Sequence, residues 1–231
     1  EGSLAGAMIE NFRASLAAEH AKLVADVAWF RSIGFDEFVW AKMCAGSRTY
    51  LLRMDDKDVG VLVPFADMAN HERGSNTRWE YDPDGQVFRL LAQRDYLPGE
   101  EVCCDYGPKP NMSLLAHYGF CLDDNDADQA VIGSTEPIRV RRDPTDPFAQ
   151  LMLLKARATC GEEAAARAAL AEAARAGMAR FPTTLAEDRA LLATTGLSPI
   201  ARNFILARLG EKRVLQAWLE LSTEGPAQWF Q

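Results

Sequence analysis

Two short polar segments contain the residue types that could bind a ligand or take part in a reaction. The first is Asp67-Met68-Ala69-Asn70-His71, and the second runs from Glu100 to Gly107 and includes Tyr106. A carboxylate, a carboxamide, an imidazole and a phenol can together accept, donate and orient a polar group. Taken one at a time, they have ordinary interpretations: a loop pair for Asn-His, a turn cap for the aspartate and a half-buried core residue for the tyrosine.

The order of these segments resembles SET-domain protein methyltransferases, and within them the Rubisco large-subunit methyltransferase type. The family pattern D-x-x-N-H is followed by a segment ending in Y-G and then by Asn111 and Tyr118-Gly119-Phe120. The resemblance extends from about Phe35 to Leu221, and five motifs in one order are far more specific than one. The remaining matching segments are Phe38-Val39-Trp40-Ala41, Ser47-Arg48, Phe181 to Leu185 with Asp188, and Leu209 to Leu215.

The resemblance implies an α+β fold in two domains. Residues 1–125 would form a partial SET domain with short β-strands, a helical insert and a pseudo-knotted crossing, and residues 126–231 an all-helical substrate-binding domain. The glycine-containing strand and turn that open the family's SET domain are not recognisable before Phe35, so we expect its N-terminal part to be lacking. The chain would then be a fragment of a longer enzyme, the product of a truncated gene model, or a non-catalytic relative.

The resemblance also implies S-adenosyl-L-methionine as the methyl donor, and no metal. It makes Tyr106 the catalytic residue, whose hydroxyl would orient a neutral amine in line with the sulfonium methyl group. A free lysine has a pKa of about 10.4, so the site must favour the deprotonated amine. The positions that match the family's cofactor-binding residues are Arg48, Asp67, Asn70, His71, Tyr106, Tyr118 and Phe120.

Three functions remain open at this point. The first is a protein-lysine N-methyltransferase, or a fragment of one, that transfers a methyl group to a side-chain amine of a protein substrate. The second is a catalytically inactive SET-like module that binds a protein. The third is a protein-histidine methyltransferase, because relatives in this group methylate histidine.

Composition narrows the partners and the compartment. The net charge of −8 gives the chain no general attraction for nucleic acid, which favours a protein or small-molecule partner. Five cysteines without a C-x-x-C pair argue against a disulfide framework or a zinc site and favour a reducing, intracellular compartment. No apolar run is long enough to span a membrane. Plastid, cytoplasm and nucleus are not distinguished, and the oligomeric state is left open.

The elements that must position these residues can also be predicted. Apolar spacing predicts a helix within residues 13–31, and the turn residues Asp82 to Gly85 predict a β-hairpin. Further predicted elements are a helix over Phe35 to Ala45, a strand over Glu101 to Tyr106 and a helix over Met112 to His117.

The second half of the chain is rich in helix-forming residues with clear boundaries. Thr184 to Glu187 fits a capping box, Ser198-Pro199 fits a helix start, and Gly210 is a residue at which that helix can stop. Trp40 and Trp218 are predicted to be core anchors. Cys103 and Cys104, adjacent in an apolar run, are predicted to be packing residues.

Overall fold

A computed structural model describes residues 2–54, 56–132, 138–143, 156 and 158–224. The helices are α1 (Leu4–Asp26), α2 (Phe35–Arg48), α3 (Asn111–Tyr118), α4 (Glu163–Met178), α5 (Leu185–Leu192) and α6 (Pro199–Glu224). The strands are β1 (Thr49–Met54), β2 (Lys57–Leu62), β3 (Thr77–Asp82), β4 (Val87–Ala92), β5 (Gln129–Ile132) and β6 (Ile138–Arg141). Two 3-10 turns cover Ala28–Ser32 and Ala66–Met68.

The chain divides into two compact units. Leu16–Pro108 forms one, here called the motif unit, and Glu1–Ser15 with Lys109–Gln231 forms the other, here called the helical unit. These units are defined by contacts within the chain. The domain boundary expected at residues 125/126 stays a prediction.

The motif unit contains two antiparallel hairpins, β1–β2 and β3–β4. Tyr50 of β1 packs against Trp79 of β3 and Phe88 of β4, with ring centroids 5.6 and 4.8 Å away. The rings of Trp79 and Phe88 are stacked at 5.8 Å. Each such aromatic pair stabilises a fold by about 0.5–1.5 kcal/mol beyond its buried area, so the cluster holds β1 against the second hairpin.

The predicted hairpin is confirmed, and the strand predicted to follow it is wrong. The backbone N–H of Gly85 donates to Oδ1 of Asp82 at 3.1 Å, closing the turn between β3 and β4. Of the residues Glu101 to Tyr106, however, only Cys104 makes a β-bridge, to His71. Because this segment pairs through a single bridge, it does not form a regular ladder.

The helical unit has its core where α4 and α6 pack on a small sheet. Trp218 is 1% exposed, and its indole N–H donates to the carbonyl of Arg141 at 2.8 Å. The α+β fold class is confirmed. The expectation of an all-helical second domain needs a correction, because β5 and β6 pair antiparallel there, and their apolar residues Ala130, Ile132 and Val140 join the helical core.

The long helix α6 does not stop at Gly210, contrary to the prediction. It continues to Glu224, and Gly210 is instead a position where another side chain packs closely against the helix. A Cβ at this position would lie 1.9 Å from Oδ2 of Asp128. That carboxylate accepts from the backbone and side-chain nitrogens of Asn111, at 2.6 and 3.1 Å, and so fixes the start of α3.

The N-terminus of α1 is set by a residue far away in the sequence. Glu211, 2% exposed on α6, accepts from the backbone N–H of Leu4 at 2.9 Å and from the hydroxyl of Ser3 at 2.5 Å. The first N–H groups of a helix have no internal acceptor, and a carboxylate there also suits the helix dipole. Therefore the helix predicted within residues 13–31 begins at Leu4 and ends at Asp26.

Both predicted helix starts in the helical unit are confirmed. Thr184 and Glu187 form a capping box at α5. The hydroxyl of Ser198 accepts from the backbone N–H of Ala201 at 3.2 Å at the start of α6. These signals are local, so tertiary packing does not alter them.

One of the two predicted tryptophan anchors is not buried. Trp40 of α2 is 67% exposed, whereas Trp218 is a core residue as predicted. Cys103 and Cys104 are 9% and 4% exposed, which confirms them as packing residues. In the described part of the chain, no helix combines the length and the apolar character needed to cross a membrane.

Candidate active site

The site begins with a backbone turn that follows β2. Phe65 has a φ of 71° and is 92% exposed, and the turn Ala66–Met68 follows it. A left-handed φ costs a bulky residue about 1–2 kcal/mol, so the surrounding contacts must hold this turn. The chain therefore reverses here and presents Asp67 and the backbone up to Asn70.

Three side chains hold this turn by donating hydrogen bonds to its backbone carbonyls. The Tyr50 hydroxyl donates to the carbonyl of Ala66 at 2.8 Å, and Nη1 of Arg48 donates to the carbonyl of Asp67 at 2.9 Å. The Tyr106 hydroxyl donates to the carbonyl of Ala69 at 2.8 Å. Arg48 ends α2 and Tyr50 lies in β1, so the helix-to-strand junction positions both donors.

The next two residues are joined to the segment that leads to Tyr106. His71 and Cys104 form a parallel β-bridge, and the backbone N–H of Cys104 donates to the carbonyl of Asn70 at 2.8 Å. The side-chain amide of Asn70 donates to Oε1 of Glu101 at 2.6 Å. This bridge brings together the two segments that the sequence singled out.

The imidazole of His71 is buried, with 2% of its side chain exposed. Its Nδ1 accepts from the backbone N–H of Tyr106 at 3.1 Å, and the two rings lie 5.1 Å apart at 32°. A nitrogen that accepts a hydrogen bond carries no proton, so this contact holds His71 in the tautomer with the proton on Nε2. His71 thereby fixes the backbone of Tyr106.

Arg48 and Asp67 also approach each other through their charged groups. Nη1 of Arg48 lies 4.0 Å from Oδ2 of Asp67, and 42% and 17% of their side chains are exposed. The arginine thus holds the Asp67 backbone and sits beside its carboxylate. Arg48, Asp67, Asn70, His71 and Tyr106 lie together in the motif unit.

Tyr50 was not selected from the sequence, although it belongs to the site. Burial raises the pKa of its hydroxyl above the ordinary value, and Cys104, Tyr106 and Asp67 act in the same direction. The hydroxyl therefore stays protonated and remains a donor to the turn. Its position in the sequence could have indicated this role. Tyr50 lies two residues after Arg48 and on the same strand face as the buried Leu52.

The two aromatic residues Tyr118 and Phe120 belong to the helical unit. Their rings are 6.3 Å apart at 61°. Gly119 between them ends α3 with a φ of 80°, and its N–H donates to the carbonyl of Leu114. The prediction that these two rings contribute to the cofactor site stays a prediction.

Comparison with protein families identifies both parts of the chain. Residues 11–107 match the family model for the SET domain, and residues 120–215 match the family model described as Rubisco LSMT substrate-binding. The SET match begins upstream of Phe35, where the sequence motifs began, so the part of the domain expected to be lacking is smaller than the motifs indicated.

Curated relatives include lysine and histidine methyltransferases. The ribosomal lysine N-methyltransferase set10 of Schizosaccharomyces pombe is 32% identical over 102 residues, which are 42% of this chain and 19% of that protein. The ribosomal lysine N-methyltransferase 1 of Saccharomyces cerevisiae is 31% identical over 126 residues, 52% of this chain and 21% of that protein. The actin-histidine N-methyltransferase of Danio rerio is 30% identical over 100 residues, which are 42% of this chain and 17% of that protein. The matches thus span about a fifth of these relatives.

Solved structures show the same fold over nearly the whole chain. The SET domain of LSMT bound to lysine and AdoHcy superposes with a TM-score of 0.76 at 19% identity, over 99% of this chain and 66% of that one. Rubisco LSMT bound to AdoMet gives a TM-score of 0.75 at 20% identity, over 99% and 65%. The chain therefore combines a SET domain over residues 11–107 with a Rubisco LSMT substrate-binding domain over residues 120–215.

Proposed function

We propose that this chain is an S-adenosyl-L-methionine-dependent protein-lysine N-methyltransferase, or a part of one. The observation that carries the proposal is the bridge between His71 and Cys104, which places Asn70 and His71 beside the chain entering Tyr106. Resemblance to lysine methyltransferases supports it. The interval between the two family matches, residues 108–119, supports a division shortly before the boundary expected between domains 1–125 and 126–231.

The polar groups of the site fit a ligand that has an ammonium and a carboxylate. Asp67 offers a carboxylate that can accept from the ammonium. Arg48 uses only Nη1 within the described ranges, which leaves Nε and Nη2 to bind a carboxylate. The Asn70 amide contacts Glu101, an exposed residue that a ligand can replace as its partner.

When bound, S-adenosyl-L-methionine supplies a methyl group on a positively charged sulfur. The acceptor nitrogen provides the electron pair for the new N–C bond while the C–S bond breaks, so the amine must be neutral. We propose that Tyr106 orients this amine. Its hydroxyl proton points to the carbonyl of Ala69, so the oxygen lone pairs can accept an N–H of the acceptor.

We propose that Tyr118 and Phe120 add aromatic walls for the cationic groups, which the ring quadrupole attracts. The partner would be a protein with a lysine side chain, and the compartment would be intracellular and reducing. Tyr118→Ala would weaken the binding of S-adenosyl-L-methionine if this assignment is right. An unchanged affinity would remove Tyr118 from the site.

Methyl transfer from a tritiated donor to proteins of a cell extract tests the main proposal. Tyr106→Phe should lower turnover far more than it weakens donor binding, and Asn70→Ala should weaken donor binding. Tyr81→Phe, a tyrosine of the β3 strand, is a matched control that should change neither. Full turnover by Tyr106→Phe would contradict the catalytic assignment. Donor binding without any labelled product would favour the inactive binding module.

A histidine acceptor is the second candidate, favoured by the resemblance to actin-histidine N-methyltransferases. The pH profile of the reaction separates the two acceptors. A free lysine has a pKa of about 10.4 and a free histidine about 6.5, so transfer to lysine rises with pH well above neutrality. Transfer to histidine would level off near neutral pH. Amino-acid analysis of the labelled product identifies the modified side chain directly.

A further inference from the structure

The helical unit contains an open pocket with a volume of about 360 Å³ beside α5 and α6. Three arginines, Arg142, Arg189 and Arg213, line it together with Asp124 and Glu220. Leu185 and Ala217 contribute apolar surface. The pocket thus combines guanidinium groups with apolar contacts.

The charges in the pocket are not balanced. Oδ1 of Asp124 lies 3.1 Å from Nη1 of Arg142 and 3.4 Å from Nη1 of Arg213, so one carboxylate serves two arginines. Glu220 accepts from the side chain of Gln216 at 2.8 Å. Within the described ranges, the guanidinium of Arg189 has neither an ion-pair partner nor a hydrogen-bond acceptor. Three cations therefore face two carboxylates.

This local positive charge contrasts with the chain as a whole, which carries −8. A long polyanion such as nucleic acid would be repelled by the net negative charge of the chain. A single carboxylate would be attracted, because a guanidinium binds it through two parallel hydrogen bonds. Leu185 and Ala217 beside the arginines can contact the rest of a peptide segment. They would contribute nothing to the binding of a free inorganic anion.

We propose that this pocket binds an acidic side chain in a segment of the protein substrate, with Arg189 as the main donor. The inference rests on the proposed function, since it takes the partner to be the methyl-accepting protein. Most of the pocket residues lie in the part of the chain, 120–215, that matches the Rubisco LSMT substrate-binding model. The acidic segment would anchor the substrate through a residue other than the one that is methylated.

Fluorescence anisotropy with the full chain tests this without any methyl transfer. The probe is a labelled peptide of alternating glutamate and serine, compared with the same peptide carrying glutamine. We expect the glutamate peptide to bind more tightly and its affinity to fall as salt is raised. Equal binding of both peptides would overturn the proposal, and it would leave the methyltransferase function untouched.

A matched pair of variants locates the binding. Arg189→Gln should weaken the glutamate peptide roughly three- to tenfold. Arg175→Gln should leave it unchanged, since Arg175 is likewise exposed in the last turn of its helix but lies outside the pocket. Both substitutions are at the surface and should preserve folding. Equal affinities of the two variants would overturn the assignment of Arg189.

Two further measurements separate other occupants. Inorganic phosphate could displace the labelled peptide as effectively as the unlabelled glutamate peptide does. That result would make the pocket a small-anion site and overturn the proposal. Sedimentation of the chain alone tests a second copy as the occupant. Self-association that Arg189→Gln abolishes, without peptide binding, would also overturn it.

Discussion

The backbone N–H of Tyr106 donates to Nδ1 of the buried His71 at 3.1 Å, and their rings lie 5.1 Å apart. The hydroxyl of the same tyrosine donates to Ala69, two residues before the histidine, at 2.8 Å. The D-x-x-N-H segment therefore holds the tyrosine at both its backbone and its side chain. The position of the proposed catalytic hydroxyl depends on His71.

Replacing His71 tests this dependence. His71→Ala should lower the free energy of unfolding by about 2–4 kcal/mol, because it leaves a cavity and removes the acceptor of the Tyr106 N–H. His71→Asn, whose side-chain oxygen can take the place of Nδ1, should recover roughly half of the loss. Urea denaturation measures both variants. Equal stability of the alanine and asparagine variants would show that the hydrogen bond contributes nothing.

The contribution of Tyr50 can be separated into its ring and its hydroxyl. Tyr50→Phe keeps the contacts with Trp79 and Phe88 and removes the hydrogen bond to Ala66. We expect a loss of about 1 kcal/mol in stability and a roughly fivefold weaker binding of S-adenosyl-L-methionine, because the turn is less well held. Thermal denaturation and a binding titration measure these effects, with Tyr81→Phe as the control. Unchanged donor affinity would exclude Tyr50 from positioning the site.

Asp128 predicts a pH dependence of stability. Burial raises the pKa of its carboxyl from 3.8 to about 7, and the nearby Glu211 also raises it. The hydrogen bond from the backbone of Asn111 lowers this pKa but does not outweigh burial. As pH rises, the unfolded chain loses this proton at a lower pH than the folded chain does. The protonated carboxyl therefore makes its full contribution to stability below pH 3.8, and this contribution is lost as pH rises to about 7. Burial raises the pKa of Glu211 as well, with the same sign.

The measurement is urea unfolding at about pH 5 and about pH 8, where we expect the wild type to lose a few kcal/mol. Asp128→Asn resembles the protonated acid and should show a smaller loss. Asp188, whose pKa is lowered because hydrogen bonds from Arg208, Lys212 and Thr183 outweigh burial, acts only at lower pH. The same pH slope in wild type and Asp128→Asn would refute the assignment.

Gly210 and Gly46 should respond to alanine in opposite directions. Both lie in helices, where alanine is favoured over glycine by about 1 kcal/mol. A Cβ at Gly210 would lie 1.9 Å from the Asp128 carboxylate, whereas nothing lies within 4 Å of a Cβ at Gly46. Gly210→Ala should therefore destabilise the protein by about 1–3 kcal/mol, and Gly46→Ala should stabilise it by about 0.5–1 kcal/mol.

Thermal denaturation of both glycine variants decides between local preference and tertiary contact. Stabilisation of both would mean that the Asp128 side chain moves away from α6 without cost. Circular dichroism of Gly210→Ala adds a second readout, since α6 itself should remain helical. A change confined to stability would then point to the Asp128–Asn111 contact.

The amino-acid sequence alone determined the features that depend on neighbouring residues. The turn Asp82 to Gly85, the capping box at Thr184 and the start of α6 at Pro199 all formed as predicted, because their hydrogen bonds span only a few residues. The order of the motifs also indicated the family that the comparisons then matched. Neither required knowledge of the packing.

Only the tertiary structure decided the features that depend on distant residues. Glu211 fixes the start of α1, Asp128 packs where a side chain at position 210 of α6 would lie, and Tyr50 contacts the turn that follows β2. The segment Glu101 to Tyr106 was predicted to be a strand, but it pairs only through the bridge between Cys104 and His71. A sequence pattern records the preference of each segment, whereas these outcomes depend on which polar groups meet when segments far apart in the chain are packed together.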